Sequence, residues 1–269
     1  MVSLRQFCYS TFVFSFLSKF RDYYYALYPG IHHEYNCNLN GVTFHYLTNR
    51  KDDLFRLAKK NRLLSFEPDS LQIWQKGCSA GGVAIDVGAY TGIYTITGIL
   101  SGADKMYSFE PNLQISDFFR KNVEKNRVTS KVEFRTIALG SEIGVGELLA
   151  PKNRMHKFGN STGSGIQLST AVNDRDLLLW RKLANINIST LDLEISPDDQ
   201  KNVTMIKIDV EGFEMEVLQG AESILLENSP VVIIEALTQR NKNDITVYMS
   251  SLKYSLIRAA EKNLVFSKS

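Results

Sequence analysis

The run Val83-Ala84-Ile85-Asp86-Val87-Gly88-Ala89-Tyr90-Thr91-Gly92 decides how the rest of the chain is read. Val83 to Val87 has the apolar character of a short buried strand, with an acid near its end. Gly88 and Gly92 bracket a tight turn, and Ile93-Tyr94-Thr95-Ile96 opens a helix. A strand that stops at glycines before a helix is how α/β proteins bring bare backbone against a ligand.

Outward from this turn the same pattern recurs. Met106-Tyr107-Ser108-Phe109-Glu110 is a second apolar strand ending in an acid, and Pro111 begins a helix through Phe118, Phe119 and Asn122. Val132 to Ile137 is a third strand, closing at Ala138-Leu139-Gly140. Further on, Val203 to Val210 is followed by Glu211-Gly212-Phe213-Glu214 and one helix to about Asn228, whose core stripe is Val217, Leu218, Ala221, Ile224 and Leu225. Pro230 introduces Val231 to Ile234, ending in Glu235. A helix from about Asp244 to Leu252 precedes a terminal hairpin, Tyr254 to Ile257 with Asn263 to Phe266. Strands separated by helical segments predict a parallel sheet with crossover helices. Upstream, Asn40-Gly41 is a hairpin turn before the alternating strand Val42 to Leu47, and Glu67-Pro68-Asp69 opens a helix through Trp74. Only the run Ser141 to Ser189, with its polar stretch Gly159 to Gly165, breaks the rhythm. It is expected to be a surface excursion of the kind that covers an active site.

The division expected from this is an N-terminal extension, residues 1–65, and a ligand-binding domain, 66–269, carrying the excursion at 141–189. Nine Lys/Arg against four Asp/Glu give the extension +5, and the body carries −3, so the chain's +2 is unevenly spread. A slightly acidic body argues against nucleic-acid binding, which needs clustered basic residues. Gln6 to Ser18 is an uncharged, aromatic-rich run of 13 residues, too short for the ~20 needed to cross a bilayer. It reads as a helix packed on the domain, as an interfacial anchor or as a substrate-facing flap, extended by Tyr23, Tyr24, Tyr25 and Tyr28 and ended at Pro29-Gly30. Without a cleavage site after it, a cytoplasmic protein is expected, with peripheral membrane contact through this segment as the variant. Cys8, Cys37 and Cys78 form no C-x-x-C pair, and His32, His33, His45 and His156 lack ligand spacing, so no metal site is assigned.

Four apolar strands each finish in a carboxylate: Asp86, Glu110, Asp209 and Glu235. In an open α/β sheet ligands bind beyond the carboxyl ends of the strands, so these acids converge on one edge. Buried carboxylates are costly unless paired, which points to a polar or cationic ligand; capping of the following helices is the alternative. Glu110 follows Asp86 by 24 residues, where a Rossmann-type site places the acid that accepts from the ribose hydroxyls. The glycine pattern is G-x-x-x-G, with Tyr90 where a dinucleotide site has its central glycine. A pyrophosphate would be crowded there. S-adenosylmethionine has none, and its sulfonium suits an acid-lined cleft.

These residues resemble the FkbM-type S-adenosylmethionine-dependent methyltransferases of the class I superfamily. The matching pieces are Ile85 to Gly92, Phe109-Glu110-Pro111, Thr190-Leu191-Asp192, Ile206-Lys207-Ile208-Asp209-Val210-Glu211-Gly212-Phe213-Glu214, Gln219-Gly220-Ala221, Pro230 to Glu235 and Asn263 to Phe266. They cover roughly Glu67 to the C-terminus, and the block around Asp209 is the most specific. One departure is Tyr90, where the family usually has Asn. The resemblance implies an α/β Rossmann-like class I methyltransferase fold: a mostly parallel seven-stranded sheet, helices on both faces and an antiparallel C-terminal strand. It also implies O-methylation, with a small-molecule or glycan hydroxyl as acceptor.

The cofactor contacts expected are Asp86, Gly88, Ala89, Tyr90, Thr91, Gly92, Glu110, Pro111, Asn112, Ala138 and Asp209. An alcohol needs a base within reach. Asp209 and Glu211, just past the fourth strand, are the catalytic candidates; they could instead hold a divalent cation, which no spacing indicates, or support the cofactor loop. Lys207 and Glu214 are expected in an ion pair or a helix-start contact, and His156 is a further base only if the excursion delivers it. A nicotinamide-dependent dehydrogenase and a catalytically silent cofactor-binding module are the other readings.

Overall fold

The computed structural model describes residues 33–48, 54, 57, 58, 63–151, 165–168, 180–260 and 262–268. The aromatic leader, His156 and most of the polar stretch Gly159 to Gly165 lie outside the described residues.

Seven strands form the central sheet: β3 (Val83–Val87), β4 (Lys105–Phe109), β5 (Val132–Arg135), β10 (Val203–Ile208), β11 (Val231–Glu235), β12 (Ser255–Ala260) and β13 (Asn263–Ser267). Their order is β12-β13-β11-β10-β3-β4-β5. The five strands β11, β10, β3, β4 and β5 run parallel, and β13 is antiparallel to both β11 and β12. This is the sheet expected from the sequence, closing hairpin included. Order reverses beside β3 and β10, the topological switch point where such sheets bind ligands.

Strand alternation sorts the core into two layers. Ile85, Val87, Ile206, Ile208, Val232 and Ile234 face one side, against Val217, Leu218, Ile224, Leu225 and Ile245. Ala84, Met205 and Ile233 face the other, against Trp74, Ile96 and Phe119. That second layer holds α1 (Pro68–Cys78), α2 (Ile93–Ser101) and α3 (Leu113–Lys125). The same parity carries the polar residues at the strand ends, Asp86, Lys207 and Glu235, to the α1–α2 side.

The N-terminal hairpin, β1 (His33–Leu39) and β2 (Val42–Thr48), turns at Asn40 and Gly41, both at positive φ as a two-residue I′ turn requires. Cys37, Leu39, Phe44 and Tyr46 pack into the second layer. Asn122 of α3 and Asn126, which caps its C-terminus, clasp the backbone of β2. Asn126 bonds the N–H and carbonyl of His45 at 2.8 and 2.7 Å, and Asn122 bonds those of Leu47 at 2.6 and 3.1 Å.

The excursion joins the short strand before it in a separate four-stranded sheet, order β6-β9-β7-β8, from β6 (Ala138–Leu139), β7 (Gly144–Pro151), β8 (Gly165–Leu168) and β9 (Trp180–Ser189). Short helices α4 (Leu191–Glu194) and α5 (Pro197–Gln200) lead back to β10. Two helix boundaries differ from expectation. The single helix to Asn228 is two, α6 (Glu214–Gln219) and α7 (Glu222–Asn228), broken where Gly220 presses on the Gly140 carbonyl; a Cβ there would stand 2.0 Å from it. The last helix, α8, spans Gln239–Ser251, starting earlier because the Thr238 side chain caps the Asn241 N–H.

Candidate active site

The cleft opens at the carboxyl ends of β3, β4, β10 and β11. Its first wall is the glycine turn. Gly88, Tyr90 and Gly92 have φ of 81, 48 and 94°, so three of five residues are left-handed. Gly88 has no alternative: a Cβ there would lie 1.8 Å from the Asp209 carbonyl oxygen. Tyr90 is at positive φ without glycine's freedom, which costs roughly 1–3 kcal/mol and is held by surrounding contacts. One of them is its N–H, which donates to Glu110 Oε2 at 3.1 Å.

Glu110 is 8% exposed, and its Oε1 accepts from the Asn112 N–H at 2.9 Å. Burial pushes its pKa up to about 7, against the pull of these two N–H groups. Each oxygen keeps a free lone pair for a hydroxyl donor. Beside it, Asn112 Oδ1 caps α3 on Gln114, while Asn112 Nδ2 is buried with no hydrogen-bond partner. An orphaned donor next to a ribose-type carboxylate, in the wall of a cleft, fits a nucleoside. Asp86, 2% exposed, accepts from Thr95 Oγ1 at 2.6 Å; burial raises its pKa to about 6.

Opposite lies an acidic floor. Lys207 is 1% exposed, 3.1 Å from Asp209 Oδ2 and 5.1 Å from the Tyr94 ring centre. Burial opposes its charge, but Asp209 and Glu67 outweigh this and hold its pKa above the ordinary value. Asp209, Glu235 and Glu67 each place one carboxylate oxygen within 4.8 Å of the others. Burial, then the Asp209 charge, raises the pKa of Glu235. Glu67 arrives from the turn before α1 and accepts from Tyr94 Oη at 2.6 Å and Asn263 Nδ2 at 3.1 Å.

Of the residues singled out in the sequence, Asp86, Gly88, Ala89, Tyr90, Thr91, Glu110, Pro111, Asn112, Ala138, Asp209 and Glu211 all line this one cleft. Gly92 stands behind the wall as the N-cap of α2, where a Cβ would meet the Phe119 ring at 3.1 Å. Lys207 pairs with Asp209, whereas Glu214 Oε1 accepts the N–H groups of Val210 and Gly212, closing the turn into α6. Sequence reasoning missed Glu67 altogether. Its signal was there only as an acid before Pro68.

The sheet order, with a cleft at its switch point, is that of the class I methyltransferase fold. The model of the FkbM methyltransferase domain family matches residues 86–256, and the chain belongs to that family. No protein of curated function matches it. Among solved structures it is similar to the FkbM methyltransferase of Methylobacillus flagellatus KT, at 17% identity and TM-score 0.49, over 70% of this chain and 43% of that one. This chain thus spans less than half of that protein. It is also similar to a precorrin-6y C5,15-methyltransferase of Geobacter metallireducens GS-15 (12% identity, TM-score 0.44, 75% and 88% covered). A third is a Streptococcus pneumoniae protein assigned as a tRNA (m1A22) methyltransferase and crystallised with S-adenosyl-L-methionine (12%, 0.44, 74% and 70%).

Proposed function

We propose that the protein methylates a hydroxyl oxygen of a sugar, glycan or other small metabolite. The observation that carries this reading is the acidic floor around Asp209, next to the turn that takes the cofactor's methionine end. Glu110 accepts from the ribose hydroxyls, Asn112 Nδ2 donates to the nucleoside, and residues 86 to 91 hold the methionine portion. Gly92 contributes by letting α2 start where it does.

Methyl transfer is an in-line displacement. The acceptor oxygen forms its bond to the methyl carbon as the carbon–sulfur bond breaks, and the bonding pair leaves with sulfur. The hydroxyl proton must go to a base. Asp209 is that base, with Lys207 steadying its charge, and Glu211 orients the acceptor from the next turn. Positioning supplies much of the acceleration, up to roughly 7–11 kcal/mol in favourable systems. The excursion sheet supplies Ala138 and Leu148 to the cleft and sets which acceptor enters. The aromatic leader's contact with a membrane surface is part of the same proposal. Among the described residues no helix is long and apolar enough to cross a membrane.

The test is transfer of labelled methyl from S-adenosylmethionine into fractionated small-molecule and glycan extracts, with mass analysis of the product. Asp209→Asn should cut turnover by about 100-fold or more while leaving S-adenosylhomocysteine binding within a few-fold. Label appearing on nitrogen or carbon, or unchanged turnover in Asp209→Asn, would reject the assignment.

A further inference from the structure

We propose that Glu67, Asp209 and Glu235 form a binding site for a hard divalent cation of the magnesium or manganese type. The three come from separate parts of the chain: the turn before α1, the end of β10 and the end of β11. One carboxylate oxygen of each lies within 4.8 Å of the other two. Hard cations of this size take oxygen ligands and are commonly held by a few carboxylates, with water completing the shell. The group faces the cleft, so the remaining positions are open to water or to an acceptor oxygen.

A further observation points to a ligand. Glu235 is 5% exposed, and its Oε2 is buried with no hydrogen-bond partner. A buried carboxylate oxygen left unpaired is expensive and calls for a counter-charge. Glu67 is held at φ 41°, ψ 55°, although it precedes Pro68, a position that favours extended backbone. Its Oε2 accepts from Tyr94 Oη at 2.6 Å and Asn263 Nδ2 at 3.1 Å, which fixes the carboxylate beside the other two.

A divalent cation there would also hold an acceptor hydroxyl and ease loss of its proton beside the methyl donor. The site itself rests on carboxylate geometry and does not depend on which acceptor is methylated.

The test uses the full chain, freed of metal with a chelator, and Mn2+ followed by loss of its free-ion EPR signal. One saturable Mn2+ per chain is expected, displaced by Mg2+. Glu235→Gln should weaken binding about tenfold or more, with S-adenosylhomocysteine affinity unchanged as proof of folding. Should that variant fail to fold, Glu67→Gln serves the same purpose. Absence of saturable Mn2+ binding, or Mn2+ binding by a folded variant equal to wild type, overturns the proposal. So does a cluster that ignores Mn2+ yet binds methylammonium, which would mark it as a seat for a cationic acceptor. Failure of hydroxyl methylation alone would leave the Mn2+ result standing.

Discussion

The hydroxyls of Tyr46 and Thr91 lie 2.6 Å apart, so the N-terminal hairpin is bonded to the glycine turn that walls the cleft. Asn122 completes the join, its Nδ2 reaching the carbonyls of Leu47 and Thr91 at 3.1 and 2.9 Å. Tyr46→Phe removes one buried hydrogen bond. It should lower stability by about 1 kcal/mol, a shift of about 2–4 °C in Tm for a chain of this size. Chemical denaturation of the cofactor-free chain checks this, and an unchanged midpoint would show that the Tyr46–Thr91 bond adds nothing to the join.

Glu110→Gln keeps the side chain's shape but loses the charge that a ribose hydroxyl pair would bind. Charge-assisted bonds contribute about 1.5–3 kcal/mol, so affinity for S-adenosylhomocysteine should fall about 10- to 100-fold by calorimetry. Retained affinity would move the ribose elsewhere in the cleft.

The carboxyl of Glu110 titrates near 7 in the folded chain, above its ordinary value of 4.5. The folded state therefore binds more protons than the unfolded one between those limits. Its contribution to stability is favourable at the acid end and is lost as pH rises through 7. Asp86, near 6, acts in the same direction. Wild type should lose more Tm than Glu110→Gln does between pH 5.5 and 8. Cofactor binding has the opposite slope, strengthening as pH rises and Glu110 ionises. Parallel Tm curves for the two proteins would refute the assignment.

Gly88→Ala drives a methyl group to 1.8 Å from the Asp209 carbonyl oxygen and fixes a φ of +81° that alanine resists. A loss of about 3 kcal/mol or more is expected, visible as loss of soluble protein. Gly41→Ala, at φ +89° with nothing within 4 Å, is the control and should cost only about 1 kcal/mol.

Much of this was legible in the sequence because it is local. A strand ending in an acid, twice followed by a turn and a helix, places Asp86, Glu110, Asp209 and Glu235 on one edge of a parallel sheet. Strand parity then puts Lys207 and Glu235 on one face. Illegible were contacts set by chain segments far apart in sequence. Nothing around Glu67 announces that it will meet Glu235, and a proline after it suggested only a helix start. The α8 boundary was missed for a different reason. Gln239-Arg240-Asn241-Lys242-Asn243 has no apolar period, so only the Thr238 cap marks the turn. The break at Gly220 was hidden because its cause, the Gly140 carbonyl, lies on another strand's connection.

The contact between Gly88 and the Asp209 backbone has a consequence for how such an enzyme can diversify. In the proposed mechanism, the loop that would grip the methyl donor and the residue that would receive the proton abut without a side chain between them, so neither can shift without the other. New acceptors must therefore be accommodated through the excursion sheet, where sequence can change while the donor and the proton acceptor stay in register.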